Sequence, residues 1–136
     1  MILVDTSVWI AYLNGLDTKA AAALHELLDA DANAALPTPA IGELLQGTRD
    51  GADADRLAAY LATQVIVGPV DDLDAWVLAA RLYRACRRSG RTVRSTVDGY
   101  VAAIAIQNEA PLLHDDRDFD AIATADPRLK IWPTSG

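Results

Sequence analysis

Ile2-Leu3-Val4-Asp5-Thr6-Ser7 opens the chain with three apolar residues, closed by a carboxylate and two hydroxyls. Three consecutive apolar residues leave no polar face, so they read as a strand buried on both sides. The hydroxyls of Thr6 and Ser7 suit the start of a helix, which carries Val8, Trp9, Ile10, Tyr12 and Leu13 as far as Asn14-Gly15. The same grammar repeats downstream. Short apolar runs at 34–36, 65–67, 111–114 and 129–132 alternate with helical stretches near 18–30, 38–46, 52–63, 71–89, 95–108 and 119–124. Thr38-Pro39 reads as a helix start, with Thr as N-cap and Pro in the first turn. Short buried strands separated by helices predict an α/β fold, a parallel sheet with helices on both faces.

Composition limits the function classes. The 136 residues suit a single domain over 1–136, with no repeat, linker or low-complexity tract, and 51% hydrophobic residues exclude disorder. A lone Cys86 excludes an intramolecular disulfide and a cysteine zinc site, and His25 and His114 are too few for a histidine-rich metal site. The N-terminus meets a charge after three apolar residues and lacks a basic n-region, and no run reaches the ~18 apolar residues of a membrane span. A cytoplasmic protein without a membrane partner is expected. The net charge of −7 argues against a general cationic coat for nucleic acid or anionic lipid. The acids are biased, 16 Asp against 3 Glu, and Asp favours caps, turns and metal sites over helix interiors.

Several carboxylates stand where a solvated surface does not explain them. Asp5 follows an apolar strand, and ligands of parallel sheets bind beyond the strands' carboxyl ends. Glu43 shares its helix with an apolar stripe of Ile41, Leu44 and Leu45, and small neighbours leave room beside it. Asp98 heads a helix in which Val101 to Ile106 are all apolar, so that helix is buried on most sides. Asp116 and Asp118 follow the apolar run ending at His114. Each acid alone has an ordinary reading: a cap, a solvated Glu, a helix-terminal charge, a turn. Together they place acids after two strands and on two inner helix faces. Clustered carboxylates repel unless a cation sits among them, and all-oxygen ligation selects Mg²⁺ or Mn²⁺. That equipment suits metal-assisted hydrolysis of phosphodiester bonds.

Half of the positive charge lies in one stretch: Arg81, Arg84, Arg87, Arg88, Arg91 and Arg94 are six of the 12 basic residues. The first four cover roughly a 120° arc of a helix. They read either as a solvated face or as a strip that tracks the phosphates of RNA or DNA, to which the arginine fork is suited. Arg91 and Arg94 precede Asp98 closely enough to reach phosphate beside the acids.

These segments resemble a known family. Ile2-Leu3-Val4-Asp5-Thr6-Ser7, Ile41-Gly42-Glu43-Leu44-Leu45-Gln46-Gly47, Arg94-Ser95-Thr96-Val97-Asp98 and His114-Asp115-Asp116-Arg117-Asp118-Phe119 are similar, in order, to the acidic motifs of PIN domains. The length and the Arg91-Thr92-Val93-Arg94-Ser95 run are most similar to VapC-type toxin ribonucleases. The resemblance implies a three-layer α/β/α sandwich around about five short parallel strands. It implies Mg²⁺- or Mn²⁺-dependent endoribonuclease activity, often on transfer or ribosomal RNA. Its acidic quartet falls on Asp5, Glu43, Asp98 and Asp116 as catalytic residues and metal ligands. Asp118 is a possible fifth acid, and Ser7 matches a hydroxyl that supports the first Asp. His114 departs from the pattern, since many relatives carry Thr there. Packing or a hydrogen bond suits it better than direct ligation. The resemblance also implies a homodimer and a VapB-type antitoxin laid across the cleft. Trp9, Tyr12 and Trp76 are candidate interface aromatics, with core packing as the alternative for each.

Two rival readings remain. A catalytically inactive PIN-like protein- or RNA-binding module would keep the fold, and the intact quartet argues against it. A phosphoaspartate enzyme using Asp5 would want a second Asp where Ser7 stands.

Overall fold

The computed structural model describes residues 1–134. It begins with β1 (Ile2–Val4), α1 (Thr6–Leu13) and α2 (Lys19–Asp29). Then follow β2 (Ala34–Pro37), α3 (Thr38–Gln46), α4 (Gly51–Leu61) and β3 (Val65–Val67). The last third holds α5 (Asp72–Arg88), α6 (Thr96–Gln107), β4 (Leu112–Leu113) and α7 (Arg117–Ala125). The strands form one parallel sheet in the order β3-β2-β1-β4, with Leu3 opposite Leu112 and Ile2 opposite Ala34. The expected fifth strand at 129–132 contracts to a single bridge, Ile131 beside Leu112. There the Trp132 N–H donates to Leu112 O and Lys130 O accepts from Leu112 N–H, both at 2.8 Å.

Alternation along the strands builds the three layers, because successive side chains point to opposite faces. Leu3, Ala35 and Leu112 face one core, shared with Val101 and Ile104 of α6 and with Phe119 and Ile122 of α7. Ile2, Val4, Leu36 and Leu113 face the other, shared with Trp9 of α1, Leu24 of α2, Leu44 of α3 and Leu61 of α4. A fully buried leucine, isoleucine or phenylalanine contributes about 1.5–3 kcal/mol, so both cores depend on the pleat keeping its register. β3 differs from expectation: as the edge strand it leaves Val65 and Ile66 exposed.

Helix starts also shift. Asp5, not Thr6 or Ser7, caps α1, and its side chain accepts from the Ser7 N–H. Pro37 occupies the N-cap of α3 without a side-chain bond, so Thr38 is already helical. α7 starts two residues ahead of Phe119 because Asp116 caps it through the Asp118 N–H. Trp9 is fully buried and belongs to the core, not to an interface.

α6 is buried continuously from Gly99 to Ala105 and packs chiefly on α5. Gly99 permits this approach: a Cβ there would lie 3.2 Å from the Ala79 carbonyl oxygen and 3.3 Å from its Cβ. Asp98, one residue earlier, is thereby held against the carboxyl edge of the sheet. No helix among the described residues is long and apolar enough to cross a membrane.

Candidate active site

The pairing of β1 with β4 brings Asp5 and the Asp115–Asp118 turn together, since both follow the carboxyl ends of adjacent strands. The Asp5 N–H donates to Leu113 O at 3.0 Å, carrying the ladder one residue past β1. Ser7 ties the two strand ends. Its hydroxyl donates to Asp5 Oδ2 at 2.7 Å and accepts from the Asp115 N–H at 3.2 Å. Burial pushes the Asp5 carboxyl up from its ordinary range, and the hydrogen bonds from Ser7 and the Thr6 backbone oppose this.

Glu43 reaches the same region from α3. The Thr6 hydroxyl donates to Glu43 Oε1 at 2.8 Å, so the residue beside Asp5 orients the glutamate of another helix. Thr6 is itself buried. Sequence reasoning gave Thr6 only a capping part, although its place beside Asp5 was a usable signal.

Asp98, Asp116 and Asp118 form the tightest acidic group among the described residues, each offering an oxygen within 4.8 Å of the others. Asp118, expected only as a possible fifth acid, therefore stands level with Asp98 and Asp116. Its position is set by capping: Asp116 Oδ1 accepts from the Asp118 N–H at 2.9 Å. The Asp98 carboxyl is pushed up to about 7 by burial, then by the negative charges of Asp5, Asp116, Asp118 and Glu43. One group thus senses all the acids singled out in the sequence. Asp5 and Glu43 lie outside the tight trio but act on Asp98 through space.

His114 is fixed at both ring nitrogens. Nδ1 accepts from the Asp116 N–H at 3.1 Å, which leaves the proton on Nε2 to meet Asp120 Oδ1 at 3.1 Å. The ring also packs on Phe119, 5.3 Å between centroids. Both ring nitrogens are engaged, one as acceptor and one as donor, so the ring braces the turn that carries Asp116 and is not free to ligate. Asp120 had no signal in the sequence; only the helical start of α7 puts it under the imidazole.

The arginine strip divides. Arg94 lies against the acids, with Nε 3.4 Å from Asp118 Oδ2 and Nη2 3.7 Å from Asp116 Oδ1. Arg81, Arg84 and Arg88 of α5 line a separate groove of about 240 Å³ with Arg128. Arg87 lies over the Tyr83 ring, and Arg91 is exposed beyond the end of α5.

The donor set is all oxygen, with no thiolate or free imidazole among its members. It can hold a hard divalent cation through Asp98, Asp116 and Asp118 while solvent fills the remaining positions. The Asp98 carboxyl is raised first by burial and then by the surrounding negative charges, and such a cation would offset those charges.

A family model for the PIN domain matches residues 2–125. The chain is 40% identical over 127 residues to the VapC ribonuclease Mb1587 of Mycobacterium bovis, covering 90% of this chain and 92% of that protein. Ribonuclease VapC5 of Mycobacterium tuberculosis is 36% identical over 125 residues, covering 88% of this chain and 86% of that protein. Among solved structures, VapBC-1 from nontypeable Haemophilus influenzae superposes with a TM-score of 0.71 at 19% identity, covering 97% of each chain. FitAcB from Neisseria gonorrhoeae gives 0.69 at 20% identity over 98% of each chain. The structural likenesses carry the fold, the sequence likenesses the kinship: this chain belongs to the PIN-domain family and, within it, to the VapC group.

Proposed function

We propose that this protein is the ribonuclease toxin of a toxin–antitoxin pair, an endoribonuclease that hydrolyses RNA phosphodiester bonds with Mg²⁺ or Mn²⁺. The observation that carries the reading is the convergence of acids on Asp98: Asp116 and Asp118 each offer an oxygen within 4.8 Å of it, and burial first, then the charges of Asp5, Asp116, Asp118 and Glu43, push its carboxyl up to about 7. A divalent ion held there would supply an activated water and offset the charge that builds on the phosphate. Asp98, Asp116 and Asp118 would hold the ion. Asp5, oriented by Ser7, and Glu43, oriented by Thr6, complete the acidic ring. His114 and Asp120 keep the Asp116 turn in place. Arg91 and Arg94 bind backbone phosphate next to the acids, and the α5 groove of Arg81, Arg84 and Arg88 takes phosphate further along the strand. Transfer or ribosomal RNA is the substrate class, and the cytoplasm the place of action.

The same reading takes 1–136 as one PIN domain and gives it two protein partners. A groove of about 240 Å³ between α1 and the α3–α4 pair is lined by Ile10, Leu13, Leu44 and Leu57, with Glu43 at its rim. It suits an apolar segment of a VapB-type antitoxin entering towards the acids. A second exposed apolar face on α5, Leu73, Trp76 and Val77, suits a homodimer.

Asp98→Asn tests the activity. The variant should lose RNA cleavage in Mg²⁺ or Mn²⁺ by at least about a hundred-fold, the scale at which essential catalytic groups act, while folding and binding antitoxin as before. Wild-type protein freed of antitoxin that cuts no RNA with either metal would overturn the enzyme and leave an RNA-binding module.

A further inference from the structure

Arg94 precedes α6 and turns back over the acidic group. Its backbone N–H and its Nε–H both donate to Asp118 Oδ2, at 3.3 and 3.4 Å. Nη2 stands 3.7 Å from Asp116 Oδ1. Two of the three carboxylates that come within 4.8 Å of one another therefore face the same guanidinium. The side chain is 74% exposed, so little besides these contacts holds it. No other arginine of residues 81–94 makes an ion pair among the described residues.

We propose that Arg94 is a counter-ion built into the site, competing with the divalent cation for Asp116 and Asp118 and so setting the metal affinity of the protein. The proposal rests on the metal-dependent reading above. A guanidinium and a divalent ion drawn to the same oxygens repel each other. A double and a single positive charge a few ångström apart in a water-like medium shift an affinity roughly ten-fold. Exposed ion pairs are weak, so the guanidinium leaves the carboxylates without disturbing the fold. Once displaced, its fork is free for an RNA phosphate. A phosphate that draws Arg94 away strengthens the hold on the metal, and by linkage bound metal strengthens the hold on phosphate. Full metal loading thereby coincides with the presence of substrate.

Titration of Mn²⁺ into the full chain, free of any partner and followed by calorimetry, tests this without reference to cleavage. Arg94→Gln should bind Mn²⁺ roughly ten-fold more tightly than wild type, and Arg94→Lys, which keeps the charge, should stay near wild type. Arg56→Gln removes an equal charge from α4, where Arg56 pairs with Asp53, and should change nothing. Equal or weaker binding by Arg94→Gln overturns the proposal, as does equal tightening by Arg56→Gln, which would make the effect one of net charge. Absence of Mn²⁺ binding in both wild type and Arg94→Gln would sink the metal-dependent reading and this inference with it, whereas equal binding sinks this inference alone.

Discussion

Asp98 combines two demands that conflict in an ordinary protein. It is partly buried, and it faces four like charges. The folded chain keeps its proton up to about pH 7, while the unfolded chain releases it near 3.8. Between those values the folded state binds more protons, so stability falls as pH rises through the window. Without divalent metal, wild type should therefore melt at a lower temperature at pH 7.5 than at pH 5. Asp98→Asn should flatten that dependence and raise the melting temperature at pH 7.5. A variant with the wild-type slope would show that the proton sits elsewhere. The same proton must leave before a cation binds, so cleavage should climb with pH across neutrality.

At this scale much of the site was legible. Asp5 and Asp116 follow strands and Asp98 heads a buried helix, where local pattern and acid conflict; Glu43 is exposed on α3 instead of lying on an inner face, and the bond from Thr6 ties it to the region of Asp5. Asp118 was harder to rank, because its closeness to Asp98 depends on the cap that Asp116 places on α7. Arg94 shares its spacing with five other arginines. Only tertiary packing shows that it turns to the acids while Arg81, Arg84 and Arg88 face elsewhere.

Among the elements, α5 and α6 form the largest helix–helix contact, and Gly99 sets their spacing. The atom that a new Cβ would meet is a backbone oxygen at 3.2 Å, inside a helix that cannot yield locally. Gly99→Ala should destabilise by about 1–3 kcal/mol, the usual range for overpacking, seen as a lower melting temperature. It should also impair cleavage, because Asp98 moves with the helix. An unchanged melting temperature would mean that α5 slides freely. The helices themselves were readable from periodicity, which is local, although the caps of α1, α3 and α7 fell one to three residues earlier than the sequence suggested. The last strand was not: residues 129–132 are apolar enough, yet only Ile131 pairs, and Trp132 packs against the core of the α1 side. The strand order β3-β2-β1-β4 was equally beyond a local reading, since it follows from which helices cover which face.

At the scale of the whole molecule, the α5 face and the groove beside α1 are lined by different apolar residues, so their assembly roles can be tested apart. Leu73, Trp76 and Val77 share one face of α5 by their spacing of three and four residues, and Trp76 stacks on Tyr100 at 4.0 Å between centroids. On the proposed homodimer, Leu73→Glu should shift the protein towards monomer in light scattering while leaving binding of the proposed antitoxin intact, because Ile10, Leu13, Leu44 and Leu57 lie in the other groove. A mutant that stays dimeric would move the interface away from α5.

The β1–β4 pairing has a consequence for timing during synthesis. Asp5 and Glu43 leave the ribosome early, but the strand that sets Asp116 and Asp118 beside them ends at Leu113, five-sixths of the way along the chain. A chain made only as far as α5 has Asp5 and Glu43 and none of Asp98, Asp116 and Asp118. The acidic cluster therefore closes only once β4 has been made and paired, and no growing chain that stops short of Leu113 presents it whole.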